Sequence, residues 1–212
     1  GDIVTYSDSA FADTDEIVIP LSSELVSPST KDITIDGREK RIVLDAQGVS
    51  SLLRVVTTNQ SRVQNFINID FINGYSDSYK APVNITRVTA MFKGCRILGG
   101  TSSVSNAGIY VEYEATFTMV DCLVSGCHGV GVNIGSSEFN EVIIKRCTIV
   151  GNVTDISVNN ASTANSITDC LIASKTGPGS ADIITTLPST CGFVAPCPDT
   201  IDPESWTNTL WQ

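Results

Sequence analysis

The sequence has few charged side chains and only one histidine. Charged residues make up 17% of the 212 residues, aromatic residues 7%, and His128 is the single histidine. Chemistry that depends on a histidine base therefore has only one position available. The low charged fraction also leaves little material for the polar faces of surface helices, whereas a hydrophobic fraction of 42% is enough for a core.

Positive charge is scarce as well. There are 13 lysines and arginines against 23 aspartates and glutamates, which gives a net charge of −10 and a pI near 4.4. Nucleic-acid binding requires clustered basic residues, so we expect no nucleic-acid partner and no attraction to an anionic membrane surface. No apolar run approaches the roughly 18 residues that a membrane-spanning helix needs, so we expect no membrane insertion.

The sequence does contain a repeat. Five segments align on a shared column, here called the anchor column, with apolar residues three positions before it and two positions after it. The anchor residues, separated by 26, 27, 25 and 23 positions, are Ile69, Cys95, Cys122, Cys147 and Cys170. The column before them contains Phe66, Phe92, Met119, Ile144 and Ile167, and the column after them contains Phe71, Ile97, Val124, Ile149 and Ile172.

A second alternating stretch occurs in each repeat. Its apolar pairs are Val83/Ile85, Ile109/Val111, Val132/Ile134 and Ile156/Val158. Alternate apolar residues are typical of a strand with one buried face. Gly, Asn, Ser and Asp fill the joints, and no segment keeps a 3.6-residue period, so we expect strands with few helices.

Short strands that recur at this interval predict coils that stack and bury one continuous core. The chain resembles the pectin-lyase-like superfamily, which implies an all-β fold: a right-handed, single-stranded parallel β-helix (solenoid) of about six to seven coils with terminal caps. We expect residues 1–32 to lead into and cap the solenoid, residues 33–186 to form it, and residues 187–212 to form a C-terminal cap or a partner-docking tail. The superfamily contains lyases, hydrolases, tailspikes and adhesins, so the fold does not determine the function.

The seven cysteines are interpreted structurally. Four of them lie in the anchor column, where inward thiols pack as small apolar groups. A straight column does not converge on a zinc ion, so we expect no metal site and no cofactor. Cys191 and Cys197 are the candidate disulfide, and Cys122 and Cys127 are a second candidate.

Four Asn-X-Ser/Thr sequons favour a secreted glycoprotein, in the extracellular space or on a virion or cell surface. Their asparagines are Asn59, Asn84, Asn152 and Asn160. A chain rich in serine, threonine and asparagine also produces such sequons by chance.

The stretch His128-Gly-Val-Gly-Val-Asn-Ile-Gly-Ser136 is similar to a segment of the polygalacturonases. The resemblance carries over His128, Gly129, Gly135 and Ser136 as candidates, with His128 the only candidate catalytic residue. That family also requires paired carboxylates and an Arg-X-Lys motif, which do not occur at the corresponding positions. A turn residue with a solvated ring is the alternative interpretation of His128.

The outward positions of the second strand offer a candidate sugar-binding face. Tyr110 supplies a ring, and Glu112, Asn133 and Asn159 supply hydrogen-bonding groups. The same positions hold one carboxylate and no base, so a lyase of the calcium-dependent type is poorly supported. A glycan on Asn84 would partly cover this face.

We therefore predict a non-catalytic, secreted or surface-exposed structural or adhesive module. The alternatives are a polysaccharide-binding module and a polysaccharide-degrading enzyme. A protein partner or self-assembly is predicted through the apolar tail, which contains Trp206, Leu210 and Trp211. Asp121, Arg146 and Asp169, each just before an anchor, are expected to form an ion-pair ladder of modest value.

Overall fold

The computed structural model describes residues 2–4, 15–27, 30–57, 61–77, 81–103, 107–135, 141–158, 166–173 and 192–193. Within these ranges the chain is all β, with 23 strands and no helix. No helix long and apolar enough to cross a membrane occurs in this part of the chain. All the strand pairs are parallel, as a stacked solenoid requires.

Three long sheets form the walls of the solenoid, and a two-stranded sheet lies at one corner. Sheet A contains β1 (Asp2–Val4), β4 (Ile33–Asp36), β7 (Val63–Ile67), β11 (Thr89–Lys93), β15 (Thr116–Val120), β18 (Glu141–Lys145) and β21 (Ser166–Thr168). Sheet B contains β2 (Glu16–Pro20), β5 (Arg41–Asp45), β8 (Ile69–Ile72), β12 (Arg96–Leu98), β16 (Leu123–Ser125), β19 (Thr148–Val150), β22 (Leu171–Ala173) and β23 (Gly192–Phe193). Sheet C contains β3 (Leu25–Val26), β6 (Leu53–Val56), β10 (Val83–Thr86), β14 (Ala107–Glu112), β17 (Val130–Ile134) and β20 (Thr154–Val158). The corner sheet pairs β9 (Tyr75–Ser76) with β13 (Thr101–Ser102).

The solenoid has about five turns, slightly fewer than the six to seven coils expected from the sequence. Those five turns run from β4 to β20, and each contributes a strand of at least three residues to every long sheet. Before them, β3 has only two residues. After them, β21 and β22 have no following sheet C strand among the described residues. The sequence count was too high because it gave the same weight to these incomplete turns.

The core follows the columns found in the sequence. Phe92 pairs in register with Phe66 on one side and Met119 on the other, and all three are at most 1% exposed. Aromatic rings form a continuous stack, with ring centroids 4.8 Å apart for Phe66 and Phe92 and 5.6 Å apart for Phe92 and Phe117. Burial of these side chains is the main stabilising contribution of each turn to its neighbours.

The bend between sheets A and B uses a left-handed backbone conformation. The residue that makes it has φ between 51° and 63° in five successive turns: Asn68, Gly94, Asp121, Arg146 and Asp169. Asn, Asp and Gly tolerate this region better than other residues. Arg146 is the exception, and its guanidinium forms a bidentate ion pair with Asp121 at 2.7 and 2.9 Å. Two members of the expected charge ladder therefore meet directly.

Within the described ranges, β1 and β2 are the edge strands of sheets A and B. The odd-numbered residues of β2 form its hydrogen bonds with β5, from the Asp15 carbonyl to the Leu21 N–H. The backbone nitrogen of Pro20 therefore points away from β5, where no N–H donor is needed. A proline there discourages pairing with a foreign strand. Ile3 and Val18 of the first strands are 70% and 54% exposed.

Candidate functional site

The outer face of sheet C brings together most of the side chains predicted to bind sugar. Asn84 pairs with Tyr110, and Tyr110 pairs with Asn133, so these three form one row across β10, β14 and β17. Glu112 lies two residues from Tyr110 on the same face and pairs with Thr86. Asn159 lies outside the described residues.

These side chains are largely buried although they point away from the core. Tyr110 is 6% exposed, Glu112 8% and Asn133 9%. The Tyr110 ring lies over Gly135, where an added Cβ would meet the tyrosine Oη at 2.6 Å. Sugar stacking requires an accessible aromatic face, and the Tyr110 ring does not present one in this conformation.

His128 lies in the bend between β16 and β17. Its side chain is exposed, and its backbone N–H donates to the Gly100 carbonyl of the preceding turn at 3.0 Å. The neighbouring Cys127 side chain is buried. These contacts hold the backbone of the bend in place and leave the imidazole at the surface. The imidazole is not part of the row of Asn84, Tyr110 and Asn133 on sheet C.

A buried polar cluster that we did not predict lies directly beneath this bend. The Asn152 amide nitrogen donates to Asp155 Oδ1 at 2.9 Å and to the Val124 carbonyl at 3.2 Å. Its oxygen accepts the Cys127 N–H at 3.0 Å. Asn152 and Asp155 are 0% exposed. A hydrogen-bonded amide at this depth fixes the bend between neighbouring turns.

Glycines make room for this cluster. A Cβ on Gly108 would lie 2.4 Å from the Cys127 sulfur, and one on Gly131 would lie 2.8 Å from the Asn152 amide nitrogen. One sequence signal pointed to the cluster. Asn152 occupies the column five residues after the anchor, where the preceding turns have Gly74, Gly100 and Cys127.

Two of the four sequon asparagines are buried in the fold. The Asn152 amide nitrogen, which would carry a glycan, is fully used inside the cluster. Asn84 is 4% exposed, and its oxygen accepts a hydrogen bond from the Thr86 hydroxyl of its own sequon at 2.8 Å. The native fold has no space for a glycan at Asn152. Asn59 and Asn160 lie outside the described residues.

The cysteines of the anchor column line the core as free thiols. Cys95, Cys122, Cys147 and Cys170 are each at most 3% exposed. Each sulfur lies within hydrogen-bonding distance of the carbonyl two residues earlier, at 3.2 Å for Cys122 and Val120. Burial raises the pKa of the Cys122 thiol well above its ordinary value. The protonated Cys122 thiol is therefore a poor nucleophile and a poor metal ligand.

The second candidate disulfide, Cys122–Cys127, is not formed. Both residues are free thiols. They occupy different positions in the wall, because Cys122 lies in the anchor column and Cys127 lies beyond sheet B against Gly100 and Gly108. The first candidate, Cys191–Cys197, lies outside the described residues.

The Cys127 thiol should make the fold sensitive to alkali. Burial raises its pKa from 9.0 to about 12, so the unfolded chain loses this proton at a lower pH than the native one. Below pH 9.0 the thiol makes its full contribution to stability. As the pH rises above that value, the free energy of unfolding falls by about 1.4 kcal/mol per pH unit until the native thiol ionises. Urea unfolding of the wild type and Cys127→Ala between neutral pH and pH 11 measures this slope. Equal slopes in the two proteins would contradict the assignment.

A buried carboxylate lies on the outer face of sheet B. Asp70 is 1% exposed and is held between two arginines, with Arg41 Nη1 at 2.5 Å from Oδ1 and Arg96 Nε at 2.8 Å from Oδ2. The three residues come from three successive turns. Both oxygens of the Asp70 carboxylate are paired, so the cluster links three turns, although its two arginines outnumber its one carboxylate.

No group of three or more His, Cys, Asp or Glu side chains in the described ranges could hold a metal ion. Comparison of the chain with protein-family models, with curated proteins and with solved structures finds no match.

Proposed function

We propose that this chain is a non-catalytic structural or adhesive module, displayed in the extracellular space or on a virion or cell surface. The main support for the proposal is that the side chains with reactive groups are buried or paired within the fold. The thiols are buried, Asp70 is paired with two arginines, and Asn152 and Asp155 are bonded to each other. His128 is exposed in a bend, and its described hydrogen bond is the one from its backbone N–H to the Gly100 carbonyl.

The outer face of sheet A supports an adhesive role, because it is the wide face that stays accessible. Its outward residues in three successive turns are partly or fully exposed: Thr89, Met91, Lys93, Thr116, Thr118, Val120, Glu141, Ile143 and Lys145. Hydroxyl, apolar and charged groups are mixed over this face. Interfaces between independently folded partners have about the same polarity as the rest of the surface, so such a mixture is compatible with partner binding.

Polysaccharide binding is the second candidate, and the row of Asn84, Tyr110 and Asn133 on sheet C favours it. The burial of Tyr110 argues against it, because a sugar would have to displace whatever covers the ring. The structural module is therefore the better-supported function.

Incubation with a panel of acidic and neutral polysaccharides tests the proposal. New reducing or unsaturated ends and retained protein are scored together for the wild type, His128→Ala and Glu112→Gln. We expect no new chain ends and no saturable retention with any of the three proteins. Ends that disappear with His128→Ala would establish an enzyme, and retention that Glu112→Gln removes would establish a sugar-binding module.

A further inference from the structure

The outer face of sheet A carries regular columns of side chains. In β7, β11, β15 and β18 the second and fourth residues are buried, so the first, third and fifth point outward. Strand pairing keeps these positions in register from turn to turn. The first column contains Val63, Thr89, Thr116 and Glu141, the central column Asn65, Met91, Thr118 and Ile143, and the third column Ile67, Lys93, Val120 and Lys145. These residues are here called the sheet A patch.

The charged side chains of the sheet A patch are available to a partner. Lys93, Glu141 and Lys145 are exposed, and their side chains form no ion pair or hydrogen bond within the part of the chain that the structure describes. Two lysines and one glutamate give the patch a charge of +1, whereas the whole chain has a net charge of −10. Two acidic copies can therefore approach each other through this patch with little like-charge repulsion.

A two-fold axis that runs along the solenoid matches the sheet A patch to itself. It lays two copies side by side, so that each strand faces the same strand of the second copy in the opposite direction. The first column of one copy then faces the third column of the other. Glu141 faces Lys145 on both sides of the axis, and Val63 faces Ile67 in the same way. Opposite charges meet twice, and so do apolar side chains.

A two-fold axis along the strands gives a less favourable arrangement. It lays the copies head to tail and, when centred between β11 and β15, sets β18 against β7 of the second copy. Glu141 would then face Val63 and Lys145 would face Ile67, so each charge would lose water without gaining a partner. Centred on β15, the same axis would set Lys93 against Lys145. The charges of the patch therefore favour the side-by-side arrangement.

The sheet A patch is small for a stable interface. Strands of five residues at about 3.3 Å, in four turns about 4.8 Å apart, give an area of about 16 by 19 Å. Each partner of a standard interface buries about 800 Å². The contact does not extend to β4, where Asp36 continues the third column and would face Asp32 of the second copy. We therefore expect a weak and reversible dimer.

We propose that the sheet A patch pairs with the same patch of a second copy, side by side about a two-fold axis that runs along the solenoid. This inference rests on the proposed structural or adhesive role, and it names another copy of the chain as the partner of that face. The tail with Trp206, Leu210 and Trp211, for which the sequence predicts a protein partner or self-assembly, lies outside the described residues.

Charge exchange followed by sedimentation equilibrium over a range of concentrations tests the pairing. Glu141→Lys and Lys145→Glu each replace two opposite-charge contacts by two like-charge contacts, so each should raise the dimer dissociation constant by about tenfold. The double variant Glu141→Lys/Lys145→Glu restores both contacts and should dimerise like the wild type. An equal mixture of the two single variants should also form dimers. Glu39→Lys is the matched control, because it makes the same charge change at an exposed position outside the patch, and it should not weaken the dimer.

A wild-type chain that stays monomeric at every concentration would overturn the self-pairing. Dimers that ignore the single reversals, or that the double variant fails to restore, would also overturn it, because Glu141 and Lys145 would then not face each other. If a reversal disturbs the circular dichroism, Glu141→Gln and Lys145→Gln remove the same contacts without repulsion and should weaken the dimer by a smaller factor. A monomeric chain that cleaves no polysaccharide would refute the self-pairing alone, whereas cleavage would refute the proposed function whether or not dimers form.

Discussion

Phe92→Ala should lower the free energy of unfolding by about 3–5 kcal/mol, the cost of a large aromatic-to-alanine change in a packed core. Phe92 is 0% exposed and contacts the rings of Phe66, Phe71 and Phe117, with centroids 4.8 to 5.7 Å away. Its removal leaves a cavity between successive turns, and each turn is stable only through its neighbours. Urea unfolding followed by circular dichroism measures the loss.

Tyr113→Ala is the control for this prediction. Tyr113 is 37% exposed and lies under the Arg87 guanidinium at 5.4 Å from the ring centroid. An exposed cation–π contact is worth about 0.5–1 kcal/mol, so the loss should be small. Should Phe92→Ala fail to fold, Phe92→Leu retains most of the volume and is expected to fold with a smaller loss. Similar losses for Phe92→Ala and Tyr113→Ala would contradict the stacked core.

Asp70→Asn should destabilise the fold by about 2–4 kcal/mol. Removal of one partner from a buried ion pair costs about 3–5 kcal/mol, because the remaining charge keeps its desolvation penalty. The loss here should be lower, since the Arg41 side chain is 37% exposed and water partly screens it. The asparagine also leaves two arginines of like charge against each other on successive turns.

The exposed ion pair of Asp121 and Arg146 provides the matched control for Asp70→Asn. Both side chains are about 40% exposed, at 42% and 38%, so Asp121→Asn should cost at most about 1 kcal/mol. Both variants remove one charge from a carboxylate that links turns, but Asp70 is buried between two arginines, whereas Asp121 is exposed and faces one. An Asp70→Asn loss no larger than the Asp121→Asn loss would mean that Asp70 does not support the fold as described.

The repeat columns of the sequence were enough to predict the fold. The anchor column lies at the bend between sheets A and B. The apolar residues three positions before it point inward from sheet A, and those two positions after it point inward from sheet B, because side chains alternate between the two faces of a strand. The alternation Ile109/Val111 likewise became sheet C. The likeness to the pectin-lyase-like superfamily remains an expectation, since what is established is a parallel β-solenoid.

The candidate site was less predictable. Alternation correctly placed Tyr110, Glu112 and Asn133 on the outer side of one sheet, but it does not report what lies over that side. Their burial depends on contacts from other parts of the chain. The cluster of Asn152, Asp155 and Cys127 was missed because the hydrogen bond between Asn152 and Cys127 joins residues 25 positions apart, and a sequon had suggested a surface location for Asn152.

Hydrogen–deuterium exchange of the native chain tests whether these turns form one rigid, tightly paired solenoid. We expect the slowest exchange for the amides of β11, β14 and β15, which are paired on both sides and cover the aromatic stack. Exchange should be fastest in β1 at the open edge. Rapid exchange throughout β11 to β17, or equal protection of β1 and β15, would contradict a rigid stack and the structural role that depends on it.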